Sequence, residues 1–260
     1  MAHSVLIVTT STAQAGEGGP ETGFNWLSLA VPYWRLREAG LRIGFASIKG
    51  GKPPGDPETA LSSGERAGAV EMFLGDGAAV EALAQSQAIG QVEPDAWDAV
   101  LLTDGLGGLW DLAQSQALAT VLSEMWADGG VIATLGAGAA ALVSARTADA
   151  RSIVAGLRLT ALADRDARIN AAARATRSPS QPVIEPPLQP ASRLREMGAQ
   201  VFVGPDGEPP LVIEEGRLIT GQDARAAADV TLQLLDALDI YAQPSATELR
   251  GADDQGAKAG

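Results

Sequence analysis

Two stretches of the chain place side chains where chemistry is usually done. In "WDAVLLTDG", residues 97–105, an apolar run ends in an acid, Asp104, and in "VIATLGAGAAAL", residues 131–142, a second run ends abruptly in Gly136 and opens into alanines. The second pattern is that of a nucleophile elbow, the sharp turn that holds a reactive Ser or Cys over the edge of a sheet. Its tip here is Gly136 followed by Ala137, and neither side chain can attack anything. The rest of the inventory is equally restrictive. The 260 residues include no cysteine, which excludes disulfides, thiolate catalysis and Cys-ligated metals. The single histidine, His3, stands near the amino terminus, and Lys49, Lys52 and Lys258 are the only lysines. Acid–base work must therefore fall to Asp, Glu, Tyr or a bound water.

Asp104 is the first candidate acid or base, because it ends a strand beside the elbow and an apolar pocket raises a carboxyl pKa toward neutrality. The alternative is that it caps the following turn, a role Asp often takes. Asp164 and Asp166, in "LADRDAR", are second candidates, or else a solvated cluster with Arg165 and Arg168. Glu17 and Glu21, on the glycine-rich loop "AQAGEGGPETG", either close over the pocket or are ordinary exposed acids. Trp26 is expected to line the pocket, Tyr33 and Trp34 to be core, and Ser28 to offer a hydrogen bond to the ligand.

The elements that must carry these residues alternate. "SVLIVTT", "LRIGFAS", "WDAVLLTDG" and "VIATLG" read as buried strands. Between them, helices are expected over "FNWLSLAVPYWRLREAG", kinked or started near Pro32, around "SGERAGAVEMFLGDGAAVEALAQSQ" and over "SQALATVLSEMWADGG". Strands separated by helices imply a parallel sheet covered on both faces, with ligands at the carboxyl ends of its strands. The loops after Thr10, Thr103 and Leu135 are expected to converge there. Later come a strand in "LRLTALAD", a helical stretch that turns proline-rich, a hairpin in "PPLVIEEGRLITGQD" turning at Glu215 and Gly216, and a last helix, "ARAAADVTLQLLDALDIY". We expect one domain over residues 1–242 and a disordered tail over 243–260.

With an apolar content of 46 %, the chain can build a sizeable core, and its net charge of -13 argues against nucleic acid or anionic membrane as a partner. The short apolar run at the start lacks a basic flank, so a cytoplasmic protein is expected.

Several stretches in order resemble the ThiJ/PfpI (DJ-1-like) superfamily, in its glyoxalase III-like and chaperone branch. They are "TGFNWLSLAVPYW", "ASIKGGKPPGDP", "LLTDGLGGLWDL", "GGVIATLGAGAAALV" and "GRLITGQD", within residues 4–240. The resemblance implies an α/β, flavodoxin-like three-layer sandwich with a mainly parallel central sheet, and a homodimer. It also implies a Cys and His at the elbow, where Gly136 and Ala137 stand. Ser28 occupies the place of the family Glu, Val31 and Leu106 those of family histidines, and Asp104 that of a glycine. The family "TGQN" reads Gly221, Gln222, Asp223 here. A cysteine-dependent glyoxalase, protease, amidase or deglycase is thus excluded.

The substitutions suggest a wider, drier pocket around Glu17, Trp26, Ser28, Val31, Leu106, Leu135, Gly136 and Ala137, with Gly136 emptying space at the tip. The functional expectation is an enzyme of lyase, isomerase or cyclase type, without cofactor or metal, acting on a fairly apolar small molecule. The alternative is a pseudoenzyme, a ligand-binding or chaperone-like homodimer.

Overall fold

The computed structural model describes residues 3–60, 67–177, 184–205 and 208–241. The expected tail and the stretch 178–183 lie outside these residues. Seven strands form the central sheet, in the order β3-β2-β1-β4-β5-β9-β8. They are β1 (Ser4–Thr9), β2 (Arg42–Ser47), β3 (Gln87–Ala88), β4 (Ala99–Leu102), β5 (Val131–Leu135), β8 (Val212–Glu215) and β9 (Leu218–Gly221). All neighbours run parallel except the hairpin pair β8 and β9.

Every residue of β1, β4, β5 and β9 is buried. Side chains alternate between the two faces of a strand, so a doubly covered strand must be apolar throughout, and these are nearly so. One face of the sheet carries Leu6, Val8, Val100, Leu102 and Ile132 against helix α6 (Gln116–Ala127) and α8 (Pro190–Glu196). The other carries Val5, Ile7, Leu101, Ala133 and Ile219 against α1 (Trp26–Glu38), α3 (Ala67–Gly75), α4 (Gly77–Ala84) and α9 (Ala227–Tyr241). The result is the three-layer, flavodoxin-like sandwich.

Local chemistry sets the element ends. Asn25 caps α1 by accepting from the Leu27 N–H at 2.9 Å, and the helix continues through Pro32 to Glu38. The helical stretch expected around "SGERAGAVEMFLGDGAAVEALAQSQ" is divided at Asp76, whose carboxylate accepts from Ala78 and Ala79 and starts α4 anew. Two short helices, α2 (Pro57–Ala60) and α5 (Gly108–Asp111), sit on loops at the sheet edge. The strands β6 (Arg158–Thr160) and β7 (Gln200–Phe202) leave the central sheet and pair with each other. Between them, α7 (Asp164–Arg177) supplies one wall of the cavity described below.

Register decides what meets at the carboxyl edge. Leu102 of β4 lies opposite Thr134 of β5, and Leu135 lies opposite Gly221 of β9. The loops beginning at Thr103, Gly136 and Gln222 therefore emerge side by side.

Candidate functional site

The turn after β4 is built around Asp104. Its backbone carbonyl accepts from the Asn25 N–H at 2.8 Å, which ties the turn to the start of α1. Gly105 follows with φ +139°, and a Cβ there would lie 2.3 Å from the Gly23 carbonyl oxygen, so no side chain fits. This sharp bend points the Asp104 side chain toward the elbow. Its Oδ1 accepts from the Gly105 and Ala137 N–H groups, both at 2.8 Å, and its Oδ2 accepts from the Ala224 N–H at 3.0 Å. One carboxylate thus joins the loops after β4, β5 and β9.

At the elbow, Gly136 has φ +50°, and the alanines that follow form a 3-10 segment, Gly136–Val143, rather than an α-helix. A Cβ on Gly136 would lie 2.1 Å from Asp104 Oδ1, 2.3 Å from its Cγ and 2.6 Å from its Oδ2. The space at the tip is therefore filled, which corrects the expectation of an emptied elbow. The acid of the neighbouring strand stands where a tip side chain would project.

Only 9 % of Asp104 is exposed. Burial pushes its carboxyl up to about 6, and the nearby Asp223 charge adds to the rise, while the three N–H donors pull the other way. Such a group exists in both protonation states near neutral pH, which suits it to take a proton and return it. Oδ1 already accepts two hydrogen bonds and Oδ2 accepts one, so a bound proton belongs on Oδ2.

A cavity of about 640 Å³ opens over Asp104. One wall is apolar, made by Leu106, Leu162 and Ile169, and the remainder is largely polar. Asp56 and Arg174 form a buried ion pair in it, with the Arg174 Nη1 also donating to the Glu21 carbonyl at 3.1 Å. Asp223 and Arg225 form a second pair, with Nη2 to Oδ2 at 2.7 Å. The expected drier, apolar pocket is revised accordingly. The charged groups come from the loop before α2, from α7 and from the loop after β9, none of which adjoins the elbow in sequence.

Of the residues expected at the pocket, Asp104 and Leu106 line the cavity. Gly136 and Ala137 lie behind the Asp104 carboxylate, which Ala137 holds through its N–H. The others lie elsewhere. Ser28 is buried, donating to the Asn25 carbonyl at 2.7 Å, so it stabilises the start of α1. Val31 and Leu135 pack in the core on the α1 side of the sheet. The Trp26 ring packs on Gly55 and edge-on to Phe24, with ring centroids 4.7 Å apart. Glu17 is exposed on its loop.

Asp164 is likewise committed elsewhere. Its carboxylate accepts from the Ala191 N–H at 3.0 Å, the Ser192 N–H at 3.1 Å and the Ser192 hydroxyl at 2.6 Å, holding the first turn of α8. Asp166, two residues along the same helix, lines the cavity instead, because positions two apart on a helix face different ways. The reading from sequence missed Asp56, Arg174 and Arg225. Asp223 is marked in the sequence only as a departure from the "TGQN" pattern, and Arg174 sits unmarked in an alanine-rich helix.

Comparison with known proteins agrees with this architecture. A DJ-1/PfpI family profile matches residues 21–237. A search of curated proteins finds no match. Among solved structures, the chain is similar to the Rapid Encystment Protein 24 kDa of Francisella tularensis, with a TM-score of 0.80 and 23 % identity over 91 % of this chain and 99 % of that one. It is similar to glyoxalase III of Candida albicans, with a TM-score of 0.75 and 19 % identity over 90 % and 97 % of the two chains. Drosophila melanogaster DJ-1beta is more distant, with a TM-score of 0.55 and 18 % identity over 92 % and 91 %. Among the described residues, no helix is long and apolar enough to cross a membrane.

Proposed function

This chain belongs to the DJ-1/PfpI family, and from that premise we propose that it is a small-molecule enzyme moving protons through Asp104, with chemistry of lyase, isomerase or cyclase type. The observation that carries this reading is the position of the Asp104 carboxylate. It takes the space of the elbow side chain and lies at the wall of a 640 Å³ cavity, where burial pushes its carboxyl up to about 6. The ionised form takes a proton from a carbon or oxygen of the ligand onto Oδ2. The neutral acid then returns it to a different atom, giving isomerisation or ring closure, or to a departing group, giving elimination. Asp104 ends each cycle as it began, and no oxidant or reductant is consumed. The three N–H donors hold the carboxylate in one orientation throughout, so little reorganisation accompanies the transfer. A homodimer belongs to the same reading, on the family resemblance.

A second reading, a ligand-binding protein without chemistry, is favoured by those same three N–H bonds, which are what a purely structural carboxylate would make. The test is solvent exchange. The protein and Asp104→Asn are each incubated with a bacterial metabolite extract in D2O, and carbon-bound deuterium and new products are read by mass spectrometry. The expected result is exchange or conversion of at least one metabolite, slowed by about 100-fold or more in Asp104→Asn. Metabolites that bind the protein with neither exchange nor conversion would establish the second reading.

A further inference from the structure

We propose that the cavity over Asp104 takes a neutral ligand through that ligand's acceptor oxygens, as in a lactone or ester, with a short carbon frame. The proposal rests on the reading that this cavity is where the substrate sits. Its warrant is which hydrogen-bonding atoms of the lining remain open. Two polar side chains of the lining are more than nine-tenths buried, Gln222 at 7 % exposed and Arg174 at 8 %. Gln222 Oε1 accepts from the Gly204 N–H at 2.9 Å, which fixes the orientation of the amide and leaves Nε2 a donor without a partner among the described residues. Arg174 donates through Nη1 to the Glu21 carbonyl and to Asp56 Oδ1, both at 3.1 Å, and through Nη2 to Asp56 Oδ2. Its Nε is enclosed and has no partner among the described residues. A buried donor without an acceptor is costly, and an acceptor brought to this wall by a ligand relieves the cost.

The same bias extends to less buried members of the lining. Asn25 Oδ1 accepts from the Leu27 N–H at 2.9 Å, so its Nδ2 is the open branch. Arg225 holds Asp223 through Nε and Nη2, and its Nη1 makes no bond among the described residues. The acceptors, by contrast, are largely taken. The Asp56 oxygens accept from Arg174 and from the Glu58 N–H, and the Asp223 oxygens from the side chain and N–H of Arg225. Asp104 accepts from three N–H groups. What the lining offers a ligand is therefore chiefly N–H, and the group that complements it is an oxygen lone pair.

Charge decides between kinds of acceptor. Arg174 is answered by Asp56 and Arg225 by Asp223, with the Asp166 charge also acting on Arg225. The N–H groups are open while the charges behind them are compensated, so a carboxylate ligand would bring a charge without a counterpart beside Asp104 and Asp166. A carbonyl or ester oxygen takes the same bonds with no charge to desolvate. The carbon frame belongs on the apolar wall. Leu106 and Leu162 rest there on a small cluster containing Ala137, Ala167 and Ala171, and Ile169 stands 56 % exposed, where ligand carbons would cover it.

The test uses three small probes: γ-butyrolactone, which has acceptors and no donor, pyrrolidinium, which has donors and no acceptor, and butyrate, which has acceptors and a charge. Each is titrated into the isotope-labelled protein, and the Gln222 side-chain amide and Arg174 Nε–H signals report which donors are engaged. The lactone is expected to give saturable shifts at both, with about tenfold or greater preference over pyrrolidinium and butyrate. Gln222→Glu keeps an oxygen for the Gly204 N–H and turns the open donor into an acceptor, and it is expected to abolish that preference. Pyrrolidinium or butyrate binding as tightly as the lactone, no saturable shift with any probe, or a Gln222→Glu protein with an unmoved Gly204 amide signal and the full preference would each overturn the proposal. Should Gln222→Glu fail to fold, the titration of the parent protein decides alone. The titration involves no turnover, so its outcome is separable from the proton-transfer reading. A protein that prefers the lactone yet shows no exchange in D2O loses only the chemistry, and one that shows exchange yet prefers a charged probe loses only the ligand class.

Discussion

Gly136 and Asp104 are coupled because one occupies the volume the other's neighbour would need, and Gly136→Ala measures the coupling. The added Cβ would lie 2.1 Å from Asp104 Oδ1, so the carboxylate must retreat by about 1.3 Å or more to reach an ordinary contact. That motion breaks or stretches the bonds from Gly105 and Ala137, both 2.8 Å long. Hydrogen bonds to a charged group contribute about 1.5–3 kcal/mol each. The left-handed backbone at φ +50° adds about 1 kcal/mol for any residue other than glycine. The single substitution should therefore cost about 4–7 kcal/mol. In an Asp104→Ala background the space is vacant and only the backbone strain of about 1 kcal/mol remains. Urea unfolding of the four proteins, followed by fluorescence of the five tryptophans, should give a coupling energy of about 3 kcal/mol or more. Equal costs in the two backgrounds, within about 0.5 kcal/mol, would refute the placement of the carboxylate under the elbow.

Other outcomes follow from the same geometry. Because folding raises the Asp104 pKa from 3.8 to about 6, the stability this group contributes is fully present below pH 3.8 and is lost as pH rises through 6. The loss is about 3 kcal/mol, so urea titrations should show Asp104→Asn gaining on the parent by about that amount between pH 4 and pH 7, and a pH-independent difference would contradict the raised pKa. Arg174→Met leaves the Asp56 carboxylate buried without its cation, with an expected cost of about 3–5 kcal/mol, whereas Asp56→Asn with Arg174→Met together should recover part of it; a double variant no better than the single one would argue against the pair. Asp164→Ala removes the cap of α8 and should lower stability in urea by about 1 kcal/mol, with no change in the Asp104-dependent exchange in D2O. A slower exchange would place Asp164 at the cavity after all.

Much of the architecture is written in local pattern. β1, β4 and β5 are continuous apolar runs because a strand covered on both faces has no polar side to show, and such runs are visible without any neighbour. The elbow is visible too, since a β-branched run broken by Gly136 leaves few turns to choose from. Asp104 stood out as a strand-terminal acid where the family resemblance implied a glycine. The helix break at Asp76 and the 3-10 form of Gly136–Val143 were not legible, because alanine-rich segments satisfy several helical geometries equally.

The site itself depends on distance in space that sequence does not encode. Asp104 fills the side-chain space of Gly136 because β4 and β5 pair with Leu102 opposite Thr134, a register set by packing of the whole sheet. Arg174 closes on Asp56 across 118 positions, and Asp164 turns to α8 rather than to the cavity because α7 presents its neighbours on different faces. From sequence alone came the layered fold, the vacant nucleophile position and an acid at the right strand end, all properties of short segments. Only the tertiary structure decided that the acid takes the space of the missing side chain and that two ion pairs line the cavity above it. Both follow from which strand ends and helix faces are brought together, and local propensity carries no record of that.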